Sequence, residues 1–263
     1  MRHLFSVITL RSARPLCSPP LRGLLIGALV SLSVPSLAPL PSRAASASQG
    51  LVARLEQALN APDHAGLEAL LAPAQREQLA PRLRRFAQRF ANARWRLSVG
   101  DRLPDGRLPV AVSVSGTTEK DGLLFSLEAS QQLAISTEAG LISGQELLQD
   151  QSLLVNARGS LPVTLLIPDA VLTGSRYDVD VVLDEPLGQA MVAGGLTSLT
   201  SDQVHEQRSP DIQLEPMGGG GLFKSVQAPF QPGVQTWAAM LVHPDGVITV
   251  TKQVRVVNDR SQL

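Results

Sequence analysis

The chain has 263 residues, 23 basic and 23 acidic side chains, a single cysteine, and only 3% aromatics. Without its first 47 residues, which hold five arginines and no acid, it carries 18 basic and 23 acidic groups, a net of −5, and no thiol. That excludes disulfides, cysteine nucleophiles and Cys-ligated zinc or iron–sulfur sites, gives no general attraction to nucleic acid, and leaves stability to aliphatic burial.

Those first 47 residues read as an export signal. Arg2, Arg11, Arg14 and Arg22 form a positive region, Leu24–Val34 an apolar one, and Ala45-Ser46-Ala47 a small-residue cleavage site. The mature protein is expected to begin at Ser48 and to act outside the cytosol, in the periplasm or secreted. The alternative is a membrane anchor over residues 24–40. A spanning helix needs about 20 mostly apolar residues, and this run reaches Leu40 only across Pro35 and Pro39. Cys17 precedes the apolar region, so a lipid-modified cysteine is not expected.

Residues 48–92 read as helical. Leu51, Val52, Leu55 and Leu59 share one face of a 3.6-residue period. Asp63 is a candidate N-cap for a second, short helix carrying Leu67, Leu70 and Leu71. A third helix, Ala74–Asn92, aligns Leu79, Leu83, Phe86 and Phe90, with Pro81 in its early turns or dividing it. The period then becomes two. Trp95, Leu97 and Val99 mark a strand, Leu108–Val114 the return, and Phe125–Ile135 a long strand expected to bulge. Leu141–Leu148 completes a four-stranded meander behind three helices, an α+β unit.

This element order resembles the nuclear transport factor two-like superfamily (ketosteroid isomerase-like, cystatin-like cone). The resemblance rests on the helices at Leu51–Leu71, the helix ending at Phe90, the long strand Leu123–Ile135 and the closing segment Thr137–Gly144. It covers about 100 residues and implies an α+β cone, N-terminal helices closing a curved antiparallel sheet, often dimeric through that sheet.

Residues 152–257 show short apolar runs without helical period: Val163–Ile167, Tyr177–Leu183, Met191–Gly194, Ile212–Glu215, Leu222–Gln227, Thr236–Val242 and Val247–Val257. His243-Pro244-Asp245-Gly246 reads as a hairpin turn. About seven strands in this length resemble an all-β immunoglobulin-like sandwich without a disulfide, with Trp237 as its core aromatic. The expected division is 1–47 signal, 48–151 cone, 152–258 sandwich and 259–263 tail, with Asn156–Ser160 as the linker.

The isomerases of the resembled group use an aspartate base and a tyrosine oxyanion donor. The single tyrosine, Tyr177, lies in the second unit, so the cone cannot supply that donor. Dehydratase members use histidine and aspartate. The cone offers only His64 beside Asp63, where a solvated helix start is the plainer reading. Glu128 points opposite to Leu127 and Ala129 and reads as an exposed strand residue. His205 and His243 lack metal-ligand spacing. Asp178, Asp180, Asp184 and Glu185 read as a polar outer face, and Gly218–Gly221 as a strand connection. No G-x-S-x-G occurs. The sharpest feature is basic: nine arginines opposed by three acids across residues 76–107, a net of +6. Arg82, Arg85 and Arg89 share one helix face and could meet an acidic partner, an anionic ligand or lipid heads. The simpler reading is a solvated face.

The sequence thus reads as an exported, non-catalytic binding or assembly module. It is expected to hold a protein partner or an apolar small ligand, with no cofactor, metal or nucleic acid and with homodimerisation through the first sheet open to it. The membrane enters only if the N-terminal segment is retained. The alternatives are a small lyase or isomerase with an apolar pocket in the cone and a membrane-tethered structural subunit.

Overall fold

The computed structural model describes residues 43–62, 64–157, 161–185, 188 and 190–263. The apolar segment 24–40 and Asp63, the expected N-cap, lie outside them. Helix α1 (Arg43–Asn60) buries the expected stripe of Leu51, Val52, Leu55 and Leu59. Its backbone is already helical through Ala45–Ala47, the expected cleavage site. The expected second helix is only a 3-10 turn, Glu68–Leu70. Three residues suffice to bury Leu67 and Leu70, after which Leu71 turns extended and bridges to Ile142. Helix α2 (Pro73–Arg89) starts on a proline, which needs no N–H in the first turn, and runs unbroken through Pro81. The carbonyl that Pro81 leaves without a helical donor belongs to Glu77, an exposed residue that water can serve.

Four antiparallel strands follow: β1 (Arg94–Val99), β2 (Leu108–Lys120), β3 (Leu123–Glu138) and β4 (Leu141–Ala157). The β2–β3 and β3–β4 connections are two-residue turns, Asp121-Gly122 and Ala139-Gly140, with positive φ at all four residues. The long strand β3 carries the expected irregularities, between Gln132 and Leu133 and between Ser136 and Thr137. The strand β4 differs from expectation. It does not stop at Leu148 but continues to Ala157, through the expected boundary and into the expected linker. The reason is pattern: Leu153, Leu154 and Val155 serve both faces of a sheet, and no turn residue interrupts them.

Eight more strands complete the β structure: β5 (Val163–Leu166), β6 (Ala170–Leu172), β7 (Arg176–Leu183), β8 (Val192–Leu199), β9 (Glu215–Met217), β10 (Gly221–Gln227), β11 (Gly233–His243) and β12 (Gly246–Val257). The turn at His243–Gly246 joins the last two as expected. A short helix, α3 (Ser201–His205), interrupts a region read as all strand. Thr200 and Gln203 form a reciprocal capping box at its start. One sheet runs β1-β2-β3-β4-β12-β11-β8-β9, with β6 parallel to β12; a second runs β10-β7-β5.

The shared strand places the two cores on opposite faces of the large sheet. Leu154 belongs to the first core, with α1, α2, Leu127 and Ala129. Its neighbours Leu153 and Val155 pack on the second, with Val179, Val181, Ile248 and Val250. Successive strand residues face opposite sides. The helices therefore cover one face, and the three-stranded sheet covers the other. Each fully buried aliphatic side chain contributes roughly 1.5–3 kcal/mol.

Candidate functional site

Helix α2 turns Leu79, Leu83 and Phe86 into the first core, where the Phe86 ring meets Trp95 edge-on at 5.3 Å. The adjoining stripe is Arg82, Arg85 and Arg89, spread over about 10 Å at 1.5 Å per residue. It is not the wet face that a charge run suggests. Arg82 is only 7% exposed. Arg89 is half-buried, lies 6.0 Å from the Phe90 ring centre, and has an enclosed Nη2 with no hydrogen-bond partner. Arg85 is exposed, and its Nε donates to Gln207 Oε1 at 3.3 Å. Burial, and then the neighbouring charge of Arg85, lowers the pKa of Arg82. Burial alone lowers that of Arg89 to about 10, so Arg89 remains cationic at neutral pH.

Among the described residues, the ion pairs of arginine and lysine are Arg107 with Asp105 and Glu146, Arg208 with Glu206, and Lys252 with Asp169. None involves the α2 stripe. The rest of the sequence cluster disperses. Arg94 and Arg96 are exposed on the edge strand β1, Arg76 donates to the Leu71 carbonyl, and Arg102 bonds Ser48 and the Gly106 carbonyl.

Gln207, which follows α3, was not singled out by the sequence reading. Through it the helical layer reaches the part of the same sheet face where Val204 of α3 packs with Leu199, Ala238 and Ile212. Between lie small and polar side chains in one cross-strand row: Ala129, Ser152, Thr251 and Ala238. All four are buried, and Ser152 Oγ and Thr251 Oγ1 lie 2.5 Å apart. The next residue pair on this face, Gln131 and Asp150, is also buried, with Gln131 Nε2 donating to the carboxylate at 2.9 Å. Desolvation raises the Asp150 pKa to about 6, against the opposing effects of Gln131 and Lys252. Gln131 was legible as a polar residue on the core parity of Phe125, Leu127 and Ala129. Asp150 was not, because the strand was expected to end before it.

Between the helices and the sheet lies a narrow, partly open cavity of about 50 Å³. Leu55, Leu59, Leu71, Leu83 and Trp95 line it, and Gln131 and Gln145 are its polar residues. Sites for drug-sized ligands run roughly 300–1,000 Å³. This one holds at most a water or two.

The C-terminal half has a family counterpart. Residues 158–257 match a domain of unknown function, DUF8623. The DUF8623 segment holds β5 to β12 and ends on the last residue of β12. It leaves out β4, the neighbour to which β12 pairs from Gly246 to Lys252. No curated protein is significantly similar to the chain.

Within the DUF8623 segment, Tyr177 is a core residue. Trp237 Nε1 donates to its hydroxyl at 2.9 Å, and that hydroxyl donates to Gln235 Oε1 at 2.7 Å. Trp237 is buried as expected. His205 is exposed on α3, and His243 sits at the β11 end beside Asp245, 3.3 Å away. Asp178 and Asp180 face outward on β7. Asp184, Glu185 and Gly218–Gly220 border an open cleft of about 560 Å³. In the first half, Glu128 is exposed as expected. His64 differs: it has positive φ, and both ring nitrogens are enclosed without a partner, so it is not a solvated helix start.

Proposed function

We propose that the chain is an exported, non-catalytic binding or assembly module that engages a partner through the α2 stripe. The observation that carries this reading is the charge arrangement. Arg82, Arg85 and Arg89 share a face, two of them are withdrawn from water, and none is ion-paired among the described residues. A buried cation without a counter-charge is costly, and a partner carboxylate or other anion offsets that cost. In this reading the first half is a nuclear transport factor two-like cone filled by its own side chains, and the second an immunoglobulin-like sandwich. Helices on one face of a bulged meander support the first assignment, and two packed antiparallel sheets support the second.

The narrow cavity favours a surface site over an apolar ligand held inside. It also weighs against the lyase or isomerase alternative, which needs an ionisable pair at the cavity; its lining residues are aliphatic, Trp95 and two glutamines. For the tethered-subunit alternative, the candidate anchor at residues 24–40 lies outside the described residues, among which no helix is long and apolar enough to cross a membrane.

The test is purification of the natively expressed, C-terminally tagged protein, with mass spectrometry of its N-terminus and of co-purifying proteins. An N-terminus at Ser48 and a stoichiometric partner lost on Arg85→Glu are expected. An intact N-terminus in the membrane fraction would overturn the export reading. A stoichiometric partner retained by Arg85→Glu would overturn the assignment of the surface.

A further inference from the structure

We infer that the α2 stripe of Arg82, Arg85 and Arg89 takes an extended acidic peptide segment with carboxylates on alternate residues. The inference rests on the surface-binding reading and adds the chemistry of the partner. Geometry supplies the first argument. Along the helix, Arg82 to Arg85 rises about 4.5 Å and Arg85 to Arg89 about 6 Å. Same-side residues of an extended chain repeat every 6.6 Å or so. Two carboxylates on such a chain match the stripe, one shared by Arg82 and Arg85 and the next at Arg89, whereas one phosphate-sized ion cannot span it.

Electrostatics supplies the second. Arg82 and Arg85 lie close enough for their charges to oppose one another, and a shared carboxylate relieves that repulsion. Arginine presents a planar fork that takes carboxylates in bidentate fashion. The third argument is readiness. The bond to Gln207 holds the Arg85 head, and the Phe90 ring lies beside Arg89. Fixing donors before binding reduces the ordering cost of association. Arg85, the exposed member, is the point of entry, and Arg82 and Arg89 flank it where screening by water is weaker.

The probe is a labelled nonapeptide alternating glutamate and threonine, titrated into the purified protein and followed by fluorescence anisotropy. A glutamine-for-glutamate peptide serves as control, and inorganic phosphate as competitor. Expected are saturable binding of the glutamate peptide, loss at 0.5 M salt and no binding of the glutamine peptide. Arg85→Glu should weaken affinity by about tenfold or more, with Arg89→Gln, checked for unchanged thermal stability, weakening it in the same direction. Arg84→Glu makes the same charge change at an exposed position outside the stripe, and should leave affinity within about twofold. Equal losses in Arg84→Glu and Arg85→Glu would mean diffuse attraction and overturn the site. Competition by phosphate at concentrations equal to peptide carboxylate would overturn the peptide class. If a natural partner is lost on Arg85→Glu while the peptide does not bind, the acidic-segment inference falls and the surface reading stands. If neither depends on Arg85, both fall.

Discussion

Asp150 couples the fold to pH. Its carboxyl is buried beside Gln131, and burial raises its pKa from 3.8 to about 6. The folded state therefore holds the proton more tightly than the unfolded chain does. That stabilisation is complete below about pH 3.8 and is lost as pH rises through about 6. At about 1.4 kcal/mol per pKa unit, ionising it costs roughly 3 kcal/mol. Asp150→Asn keeps a polar partner for Gln131 without the charge. Thermal melts from pH 4 to 8 should show the variant gaining on the parent as pH rises, by about 2–3 kcal/mol at pH 7–8. Parallel curves would mean that Lys252 and nearby polar groups carry the ionised form without penalty. Asn60 works on the backbone. Its side chain both donates to the Trp95 carbonyl and accepts from the Trp95 N–H, at 2.8 and 2.9 Å, and Glu56 accepts from Leu97 N–H. One turn of α1 thus occupies the free edge of β1 as a neighbouring strand would. Asn60→Ala should cost about 1–3 kcal/mol in denaturant unfolding and speed hydrogen exchange at Trp95.

At the scale of elements, β4 and the start of β12 depend on a close approach. A Cβ on Gly246 would stand 2.0 Å from the Asn156 carbonyl oxygen and 2.6 Å from the Ala157 Cα. Both are backbone atoms, so no side-chain rotation relieves the clash. Gly246→Ala should therefore destabilise by about 1–3 kcal/mol, and the loss should appear as weakened protection at the Val155 and Ile248 amides. The opposite edge of the large sheet is blunted differently: β9 has three residues, and one is Pro216. Helix α3 depends on its capping box, and through Gln207 it supports the reach of Arg85. Thr200→Ala should cost about 1 kcal/mol and weaken anything bound at the α2 stripe, measurable in the same peptide titration.

Over the whole molecule, the decisive feature is that two cores share one sheet. Residues Gln151–Val155 of β4 pair with β3 on one side and with β12 on the other. Unfolding either half exposes a strand edge of the other, so chemical denaturation should give a single transition by tryptophan fluorescence and circular dichroism alike. Trp95 and Trp237 report on the two cores separately. Residues 158–257 expressed alone should leave the β4-facing edge of β12 open along Gly246–Lys252 and should self-associate or melt well below the full chain. A monomer of undiminished stability would show that the DUF8623 segment needs nothing from β4.

How much of this was legible follows from where the signal resides. Local periodicity is written in neighbouring residues. The α1 stripe, the alternation of β1 to β3, the bulge in the overlong β3, the two-residue turns and the Trp237 core position could all be read from the chain. The sequence also placed Arg82, Arg85 and Arg89 on one helix face, because 3.6 residues per turn requires it. Tertiary structure decided what that face meets. Arg82 and Arg89 lost much of their solvent on folding, and Gln207 reached Arg85 across 122 positions. It also decided the length of β4. Sheet pairing is a contact between distant segments: the apolar run Leu153–Val155 permits the extension, and the arrival of β12 along Gln151–Ala157 fixes it. The capping box at Thr200 and Gln203 was present in the sequence, but it competes with strand-like surroundings until α3 has a sheet face to cover.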